Sequence, residues 1–179
     1  MQLPTGTVTF LFSDIEGSTR LLQRLGDGYP AVQDDHAHIM RQAIEEGGGV
    51  VIKTEGDSFF AVFADHTGAV HAAVAAQRAL AAHPWPHGTP LRVRMGLHTG
   101  EVIAEEGDFF GKNVILAARI AAQAGGGEIL VSDTLKAAAD DDDELDLSFD
   151  EGRELELKGL AGTHRVYRAD WQAQAAATS

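Results

Sequence analysis

The chain has 179 residues, 44% of them apolar, and its 27 acidic and 14 basic side chains give a net charge of -13. This length suits one well-packed domain and is short for two, so we expect a single domain over residues 1–179. The negative charge argues against a general nucleic-acid-binding surface. The absence of cysteine excludes disulfides, thiolate metal sites and cysteine nucleophiles.

The sequence contains no segment typical of membrane insertion. Met1 is not followed by a basic region and a long apolar region, as in a signal peptide. No uninterrupted apolar run approaches the ~20 residues that a membrane-spanning helix requires. We therefore expect a cytoplasmic domain that has neither a membrane nor a nucleic acid as its partner.

The first predicted element is a buried strand over residues 7–12, which are rich in β-branched and aromatic side chains. Asp14 follows it, and an isolated carboxylate at the end of a buried strand needs a partner. Gly17 then gives the backbone the freedom to turn, and Ser18 and Thr19 supply hydroxyls of the kind that cap a helix. This strand, turn and helix N-terminus predict a site for phosphate and an accompanying divalent cation.

A second carboxylate is predicted at the tip of a hairpin. A helix over about residues 29–46 is followed by two strands, residues 50–54 and 58–63, with Asp57 between them. Asp14 and Asp57 together indicate a metal and phosphate site. The alternative is that one caps a helix and the other is an ordinary turn residue, because aspartate favours both positions for backbone reasons alone.

The rest of the chain alternates helices and strands. Helices are predicted over residues 67–83 and about 112–124, and a strand over 128–131. Residues 91–104 predict either a hairpin or one bulged strand. The acidic residues 140–144 predict a solvated loop rather than a cation site, and the histidines are expected to be structural or on the surface.

With both aspartates placed, the whole chain resembles the catalytic domain of class III adenylate and guanylate cyclases. The resemblance covers roughly residues 4–168 and leaves 169–179 as a tail. It implies an α+β fold with a ferredoxin-like βαββαβ core and extra C-terminal strands. The segments that carry it are residues 12–19, 56–57, 94–100, and 108–111 leading to 117–120.

The resemblance implies a two-metal mechanism. Asp14 and Asp57 would jointly hold two magnesium or manganese ions, and the backbone carbonyl of Ile15 would complete the metal contacts. One ion would activate the substrate 3′-hydroxyl, and the other would neutralise the triphosphate. The amides that follow Ile15, at Gly17, Ser18 and Thr19, would contact the phosphates.

The resemblance also assigns the remaining substrate contacts. Arg119 matches the family's transition-state arginine. Without the resemblance, Arg119 would be interpreted as part of a surface ion pair. Lys53 and Asp108 fall on the family's purine-reading positions. Without the resemblance, Lys53 would be interpreted as an exposed strand residue and Asp108 as a loop carboxylate. A lysine donates to adenine N1 and a carboxylate accepts from the 6-amino group, whereas guanine presents the opposite pattern. Lys158 is a further candidate for a triphosphate contact.

One position departs from the family's pattern. The family usually has an asparagine four residues before the transition-state arginine, and here that substrate-binding position is Ile115. Isoleucine cannot donate a hydrogen bond to a ribose oxygen. Asn113 does not replace it, because residues two apart on a regular helix point about 200° away from each other. We therefore expect a slow enzyme.

The resulting expectation is an adenylate cyclase that converts ATP to 3′,5′-cyclic AMP and pyrophosphate. Family members place the metal aspartates and the base-reading residues in opposite subunits, which implies a head-to-tail homodimer with two shared sites. One alternative is a catalytically weakened nucleotide-binding regulatory module, which Ile115 favours. Another is a guanylate cyclase, which Lys53 disfavours because cyclases that prefer GTP usually carry glutamate there.

Overall fold

The computed structural model of the chain describes residues 4–105 and 108–172, except for the side chains of residues 87, 103–105, 108 and 110. The strands in these ranges are β1 (Gly6–Ile15), β2 (Gly49–Glu55), β3 (Ser58–Phe63), β4 (Val93–Glu105), β5 (Asp108–Phe110), β6 (Ile129–Ser132), β7 (Ser148–Phe149), β8 (Arg153–Glu156) and β9 (Thr163–Asp170). The helices are α1 (Ser18–Leu25), α2 (Tyr29–Glu46), α3 (His66–Ala82), α4 (Lys112–Gln123) and α5 (Asp133–Asp140).

The strands form one sheet in the order β2-β3-β1-β4-β6-β9-β7, with β5 paired to β4 and β8 paired to β9. Neighbours among the first four strands in this order are antiparallel, and β6 joins β4 in parallel. The order β2-β3-β1-β4 with its intervening helices is the ferredoxin-like βαββαβ core. The predicted α+β fold with extra C-terminal strands is therefore confirmed.

The core lies on both faces of the sheet because successive side chains of a strand point to opposite sides. On one face Leu11 belongs to a cluster with Met40 of α2 and Ala73 of α3. On the other face Phe10 belongs to a cluster that contains Ala117 of α4. None of the helices in the described ranges has the length and apolar character needed to cross a membrane.

Strand β4 corrects the expectation for residues 91–104. The segment forms neither a hairpin nor a bulge against β1, since the pairing runs unbroken from Ile15 opposite Val93 to Gly6 opposite Val102. Gly100, which suggested a turn, lies inside the strand. A Cβ atom there would lie 2.5 Å from the side chain of Asn113 in α4, so this glycine permits close packing of a helix on the sheet.

The β2-β3 hairpin has the predicted position, with Gly56 at its tip in the left-handed conformation (φ 58°). It also contains a bulge that the sequence did not predict. Val51 pairs with Ala61 and Lys53 pairs with Phe60, so one strand has an extra residue, Ile52. The bulge places Lys53 opposite an aromatic residue.

The acidic segment after α5 is not simply a solvated loop. Asp142 accepts a hydrogen bond from the Thr67 hydroxyl, and its carboxylate lies 3.0 Å from Nε2 of His66. These contacts, with the bond from the Thr67 hydroxyl as the largest cause, lower the pKa of Asp142. The segment is therefore attached to the N-terminus of α3.

Candidate active site

Asp14 lies near the end of β1 and is paired with Arg94 of β4. Their Cα positions are opposite one another, so both side chains project from the same face of the sheet. Nε of Arg94 donates to Oδ1 of Asp14 at 2.6 Å, and Nη2 of Arg94 donates to Oδ2 at 2.7 Å. This bidentate ion pair, chiefly through its hydrogen bonds, raises the pKa of Arg94.

Asp57 reaches the same place from the hairpin. Its Oδ2 accepts a hydrogen bond from the Ile15 amide at 2.7 Å, which ties the hairpin tip to the end of β1. Both aspartates line one pocket of about 330 Å³, which we call the carboxylate pocket. Its other lining residues in the described ranges are Ile15, Gly17, Ser18, Thr19, Arg20, Ser58 and Arg94.

The helix that begins at this pocket has no side-chain cap. Gly17 occupies the N-cap position in the left-handed conformation (φ 65°), and Ser18 is already the first helical residue. The expected capping by Ser18 and Thr19 is therefore wrong, because the capping position itself belongs to a residue without a side chain. The first amides of α1 consequently remain available for an anion.

The donor set of the pocket fits a divalent cation that arrives with a phosphate ligand. Among the described residues, no three or more His, Asp or Glu side chains gather closely enough to hold a metal ion together. The pocket thus offers two carboxylates, and Arg94 neutralises that of Asp14. Magnesium is typically bound by one or two carboxylates, with substrate phosphates and water completing its octahedral shell.

Lys53 lines a different pocket, of about 250 Å³, which we call the aromatic pocket. The rings of Phe12 and Phe60 are stacked at its wall with centroids 4.4 Å apart. The backbone of Asp108 begins β5, while its side chain lies outside the described part of the structure. The other described lining residues are Glu55, Ser58, Phe59, Phe109 and Val114, so only Ser58 is shared with the carboxylate pocket.

Arg119 and Lys158 lie together at a third place. Nε of Arg119, on α4, donates to the backbone carbonyl of Lys158 at 2.9 Å. Within the described part of the chain, neither α4 nor any later strand contributes a residue to the carboxylate pocket. The structure therefore separates the predicted transition-state arginine from the aspartates of its own chain.

The side chains of Ile115 and Asn113 have different environments on α4. Ile115 is 46% exposed. Nδ2 of Asn113 donates to the carbonyl of Glu101 at 2.8 Å, and its Oδ1 lies 2.8 Å from Nε2 of the buried His98. Asn113 therefore holds the helix to β4 and does not supply the hydrogen bond that Ile115 lacks.

A buried histidine lies beneath the hairpin that carries Asp57. His36 of α2 is fully buried, meets the ring of Phe59 edge-on at 5.7 Å, and has no hydrogen-bond partner for either ring nitrogen within the described residues. Burial lowers the pKa of His36 to about 4, although the nearby charge of Asp57 opposes the shift. His36 is thus a structural histidine, as expected, and its ring is neutral in the folded chain.

Comparison with known proteins identifies the family. Residues 2–169 match the family of the adenylate and guanylate cyclase catalytic domain. The chain belongs to the class III cyclase family. The match covers the β1-α1 turn, the β2-β3 hairpin and α4, which together carry the residues described above.

Relatives of this cyclase domain include an uncharacterised protein and a protein named as an adenylate cyclase. An uncharacterised protein of Mycobacterium tuberculosis is 37% identical over 131 residues, which are 72% of this chain and 44% of the relative. An adenylate cyclase of Lachancea kluyveri is 33% identical over 154 residues, covering 72% of this chain and 8% of that enzyme. The cyclase domain thus spans less than half the length of these relatives.

Solved structures share the fold over nearly the whole chain. The structure of an adenylate cyclase from Trypanosoma brucei in its monomeric state superposes with a TM-score of 0.83 at 25% identity. The alignment covers 94% of this cyclase domain and 90% of that chain.

One residue of the site escaped the sequence prediction. Arg94 lies in a segment that supported the resemblance, yet no role was assigned to it. Its alternation with Val93 and Met95 was a usable signal, because it places Arg94 on the opposite sheet face from those two core residues. Only the register of β4 against β1 shows that the arginine meets Asp14.

Proposed function

We propose that this cyclase domain is an adenylate cyclase that converts ATP to 3′,5′-cyclic AMP and pyrophosphate. The observation that carries the proposal is the meeting of two carboxylates, from Asp14 and Asp57, beside an uncapped helix N-terminus. Carboxylates bind divalent cations and helix amides bind phosphate, so the pocket suits a metal-bound triphosphate.

Most residues of the carboxylate pocket have a part in the proposed reaction. Two magnesium or manganese ions, held by Asp14, Asp57 and the Ile15 carbonyl, would activate the 3′-hydroxyl as a nucleophile and neutralise the triphosphate. The amides of residues 17–19 orient the phosphates for attack of the 3′-oxygen on the α-phosphorus, with pyrophosphate as the leaving group. Arg94, whose charge neutralises Asp14 in the free chain, also lines this pocket and would bind a phosphate oxygen there.

The aromatic pocket supports ATP as the substrate. Its stacked rings offer an apolar surface to a purine, and Lys53 provides a donor for adenine N1. Asp108 would accept from the 6-amino group. The Lachancea kluyveri relative, named as an adenylate cyclase, supports the same choice.

The separation of the three groups of residues supports a site shared between two copies. In a head-to-tail homodimer, the carboxylate pocket of one copy faces Lys53, Asp108, Arg119 and Lys158 of the other. Arg119 then stabilises the negative charge that develops at the α-phosphate, and Lys158 contacts the triphosphate. Because Ile115 cannot bind the ribose, we infer a slow turnover.

A second candidate function is nucleotide binding without efficient catalysis. The observation that favours it is the exposed Ile115 together with the engagement of Asn113 by β4. This candidate predicts nucleotide and metal binding with no cyclic product, so a product assay separates the two functions. The same assay with GTP tests for a guanylate cyclase.

The deciding experiment uses purified chain, manganese, and either ATP or GTP, with cyclic nucleotide and pyrophosphate resolved by chromatography. Asp14→Ala serves as the blank. Asp34→Ala, which alters an exposed aspartate of α2, is the matched control and should retain activity. Cyclic AMP above the blank supports the proposal. Its absence, with ATP still bound, supports the second candidate, and cyclic GMP as the main product reverses the base assignment.

A mixing experiment tests the shared site. Asp14→Ala and Lys53→Ala chains are each inactive alone, because each dimer lacks a required group in both sites. When they are mixed, the heterodimer has one intact site, so part of the activity returns. Cross-linking verifies that heterodimers form, and no recovery in their presence would contradict the head-to-tail arrangement.

A further inference from the structure

Glu16 lies next to the metal-site residues, yet its carboxylate is directed elsewhere. It follows Ile15 and precedes Gly17, both of which line the carboxylate pocket. Oε2 of Glu16 accepts a hydrogen bond from the amide of Gly126 at 2.7 Å. Gly126 belongs to the turn between α4 and β6, which is 110 residues away in the sequence. The carboxylate is thus bound to a backbone amide and is not grouped with Asp14 and Asp57 in the described structure.

The turn that binds Glu16 is itself fixed to the sheet. The amide of Gly127 donates a hydrogen bond to the carbonyl of Val93 at 2.9 Å. The side-chain Oε1 of Glu128 accepts a hydrogen bond from the amide of Gly125 at 2.6 Å. The amide of Met95 donates to the carbonyl of Glu128 at 3.1 Å. The Gly126 amide therefore points at Glu16 from a rigid position.

Gly126 has no side chain for a steric reason. A Cβ atom there would lie 2.6 Å from Oε1 of Glu16 and 2.7 Å from Cβ of Arg92. Both distances are shorter than Cβ contacts in proteins. The contact with Cβ of Arg92 is the stricter one, because the Glu16 carboxylate is the end of a flexible side chain and can shift away. An added methyl group would therefore displace the turn or the Glu16 carboxylate. The backbone of Glu16 is held as well, by its amide donating to the carbonyl of Arg92 at 2.8 Å.

Consecutive residues of this short turn are thus held by different elements. Arg94 holds Asp14, Asp57 holds the Ile15 amide, and Gly126 holds the Glu16 side chain. We infer that the bond from Gly126 to Glu16 positions the β1-α1 turn for metal binding, so that Glu16 is a positioning residue and not a metal ligand. This inference rests on the proposed metal-dependent function of Asp14 and Asp57.

The test measures Mn²⁺ binding directly, by electron paramagnetic resonance, to the full chain in the presence of α,β-methylene-ATP. Removal of such a supporting bond typically weakens metal binding about 10-fold or more, so the Mn²⁺ dissociation constant of Glu16→Ala should rise by about that factor. Glu16→Gln retains an oxygen that accepts the Gly126 amide, and it should bind Mn²⁺ as the wild type does. Gly126→Ala should reproduce the loss.

The matched control is Gly125→Ala in the same turn. Its added Cβ meets only the end of the flexible Glu128 side chain, at 3.2 Å, so its Mn²⁺ affinity should stay near that of the wild type. A readout that a merely structural role would not change is the Mn²⁺ concentration for half-maximal activity. It should rise in Glu16→Ala while the KM for ATP at saturating Mn²⁺ is unchanged.

Two outcomes overturn the inference. Wild-type Mn²⁺ affinity in Glu16→Ala removes the positioning role, and loss of affinity in Glu16→Gln equal to that in Glu16→Ala shows that the charge matters rather than the amide bond. The comparison of Glu16→Ala with Glu16→Gln tests the inference even if Gly126→Ala does not fold. If the wild type binds no Mn²⁺, the metal assignment and this inference fail together. If it binds Mn²⁺ without making cyclic nucleotide, only the proposed activity fails.

Discussion

The carboxylate pocket and the exposed surface of α4 differ in how firmly one chain fixes their functional groups. Asp14 receives two hydrogen bonds from Arg94, and Asp57 receives one from the Ile15 amide. On α4, by contrast, Ile115 is nearly half exposed and Arg119 donates its Nε to the backbone of a neighbouring strand connection. The half of the site that we propose to bind metal is therefore organised within one chain.

This difference separates the residues proposed to bind the metal, in the carboxylate pocket, from those proposed to act in turnover, on α4. The ion pair with Arg94 and the bond from the Ile15 amide hold both carboxylates in the free chain, and Asp14 must share or release Arg94 when a cation binds. The guanidinium of Arg119 has no carboxylate partner among the described residues, and it acquires its catalytic partner only in the proposed dimer. Variants in the two regions should accordingly fail in different ways.

The largest effect is expected for Asp57→Asn. Asparagine keeps an oxygen that accepts the Ile15 amide and loses the charge that binds a cation. Loss of several kcal/mol of charge stabilisation should lower cyclase activity about 1,000-fold, with little change in the unfolding temperature. Activity is measured as cyclic AMP formed in the presence of manganese.

The control for Asp57→Asn is Asp150→Asn. Oδ1 of Asp150 likewise accepts backbone amides, from Gly152 at 3.0 Å and Arg168 at 2.9 Å, and it lies outside both pockets. This variant should remain active. Full activity in Asp57→Asn would show that the hairpin tip only supports β1 and does not hold a metal.

The next effect concerns the pH dependence of the fold beneath the hairpin. The pKa of His36 is lowered by burial to about 4, against ~6.5 in an unfolded chain. Since the folded pKa is the lower one, the neutral ring contributes its full stability above about pH 6.5, and this contribution is lost as the pH falls through about 4. The loss is about 3 kcal/mol between pH 7 and pH 4.

Urea unfolding of the wild type and of His36→Leu across this range isolates the effect. The variant should show a smaller decrease in the free energy of unfolding, and the difference between the two curves should grow below pH 6.5. The buried His98, whose pKa is also lowered mainly by burial, acts in the same direction in both proteins and cancels in the comparison. Parallel curves would show that the pKa of His36 is the same in the folded and the unfolded chain.

A smaller effect, on turnover, is expected for Arg119→Ala. Removal of one group that stabilises transition-state charge typically lowers kcat about 100-fold. Mn²⁺ affinity should be unchanged, because α4 contributes nothing to the carboxylate pocket in the described structure. The matched control is Arg153→Ala, since Arg153 also donates to a backbone carbonyl, that of Gln123 at 3.4 Å. Weakened Mn²⁺ binding in Arg119→Ala would contradict the division into two halves.

The sequence predicted the features that depend on neighbouring residues. The strand before Asp14, the hairpin around Asp57 and helices α2, α3 and α4 follow from local periodicity, and their positions are confirmed. Gly17 was correctly expected at a turn. Its position as the N-cap was not, because capping depends on where the first helical hydrogen bond forms.

The features that the sequence did not predict depend on contacts between distant elements. Arg94 meets Asp14 through the register of β4 against β1. Gly100 imitates a turn but accommodates the side chain of Asn113, and the bulge at Ile52 turns Lys53 toward Phe60. Each of these requires knowledge of which strand or helix lies alongside.

The smallest and most specific prediction is a gain of activity in Ile115→Asn. An asparagine at this exposed position would supply the ribose hydrogen bond that the family resemblance associates with it. One such bond is worth about 1 to 1.5 kcal/mol, so kcat should rise about 10-fold. Stability should change little, because the side chain is 46% exposed. The control is Leu22→Asn on α1, an apolar residue that is 48% exposed, which should leave kcat unchanged. If Ile115→Asn gives no rise, the proposed role of position 115 is wrong, and the contrast between the two regions would rest on Arg119 alone.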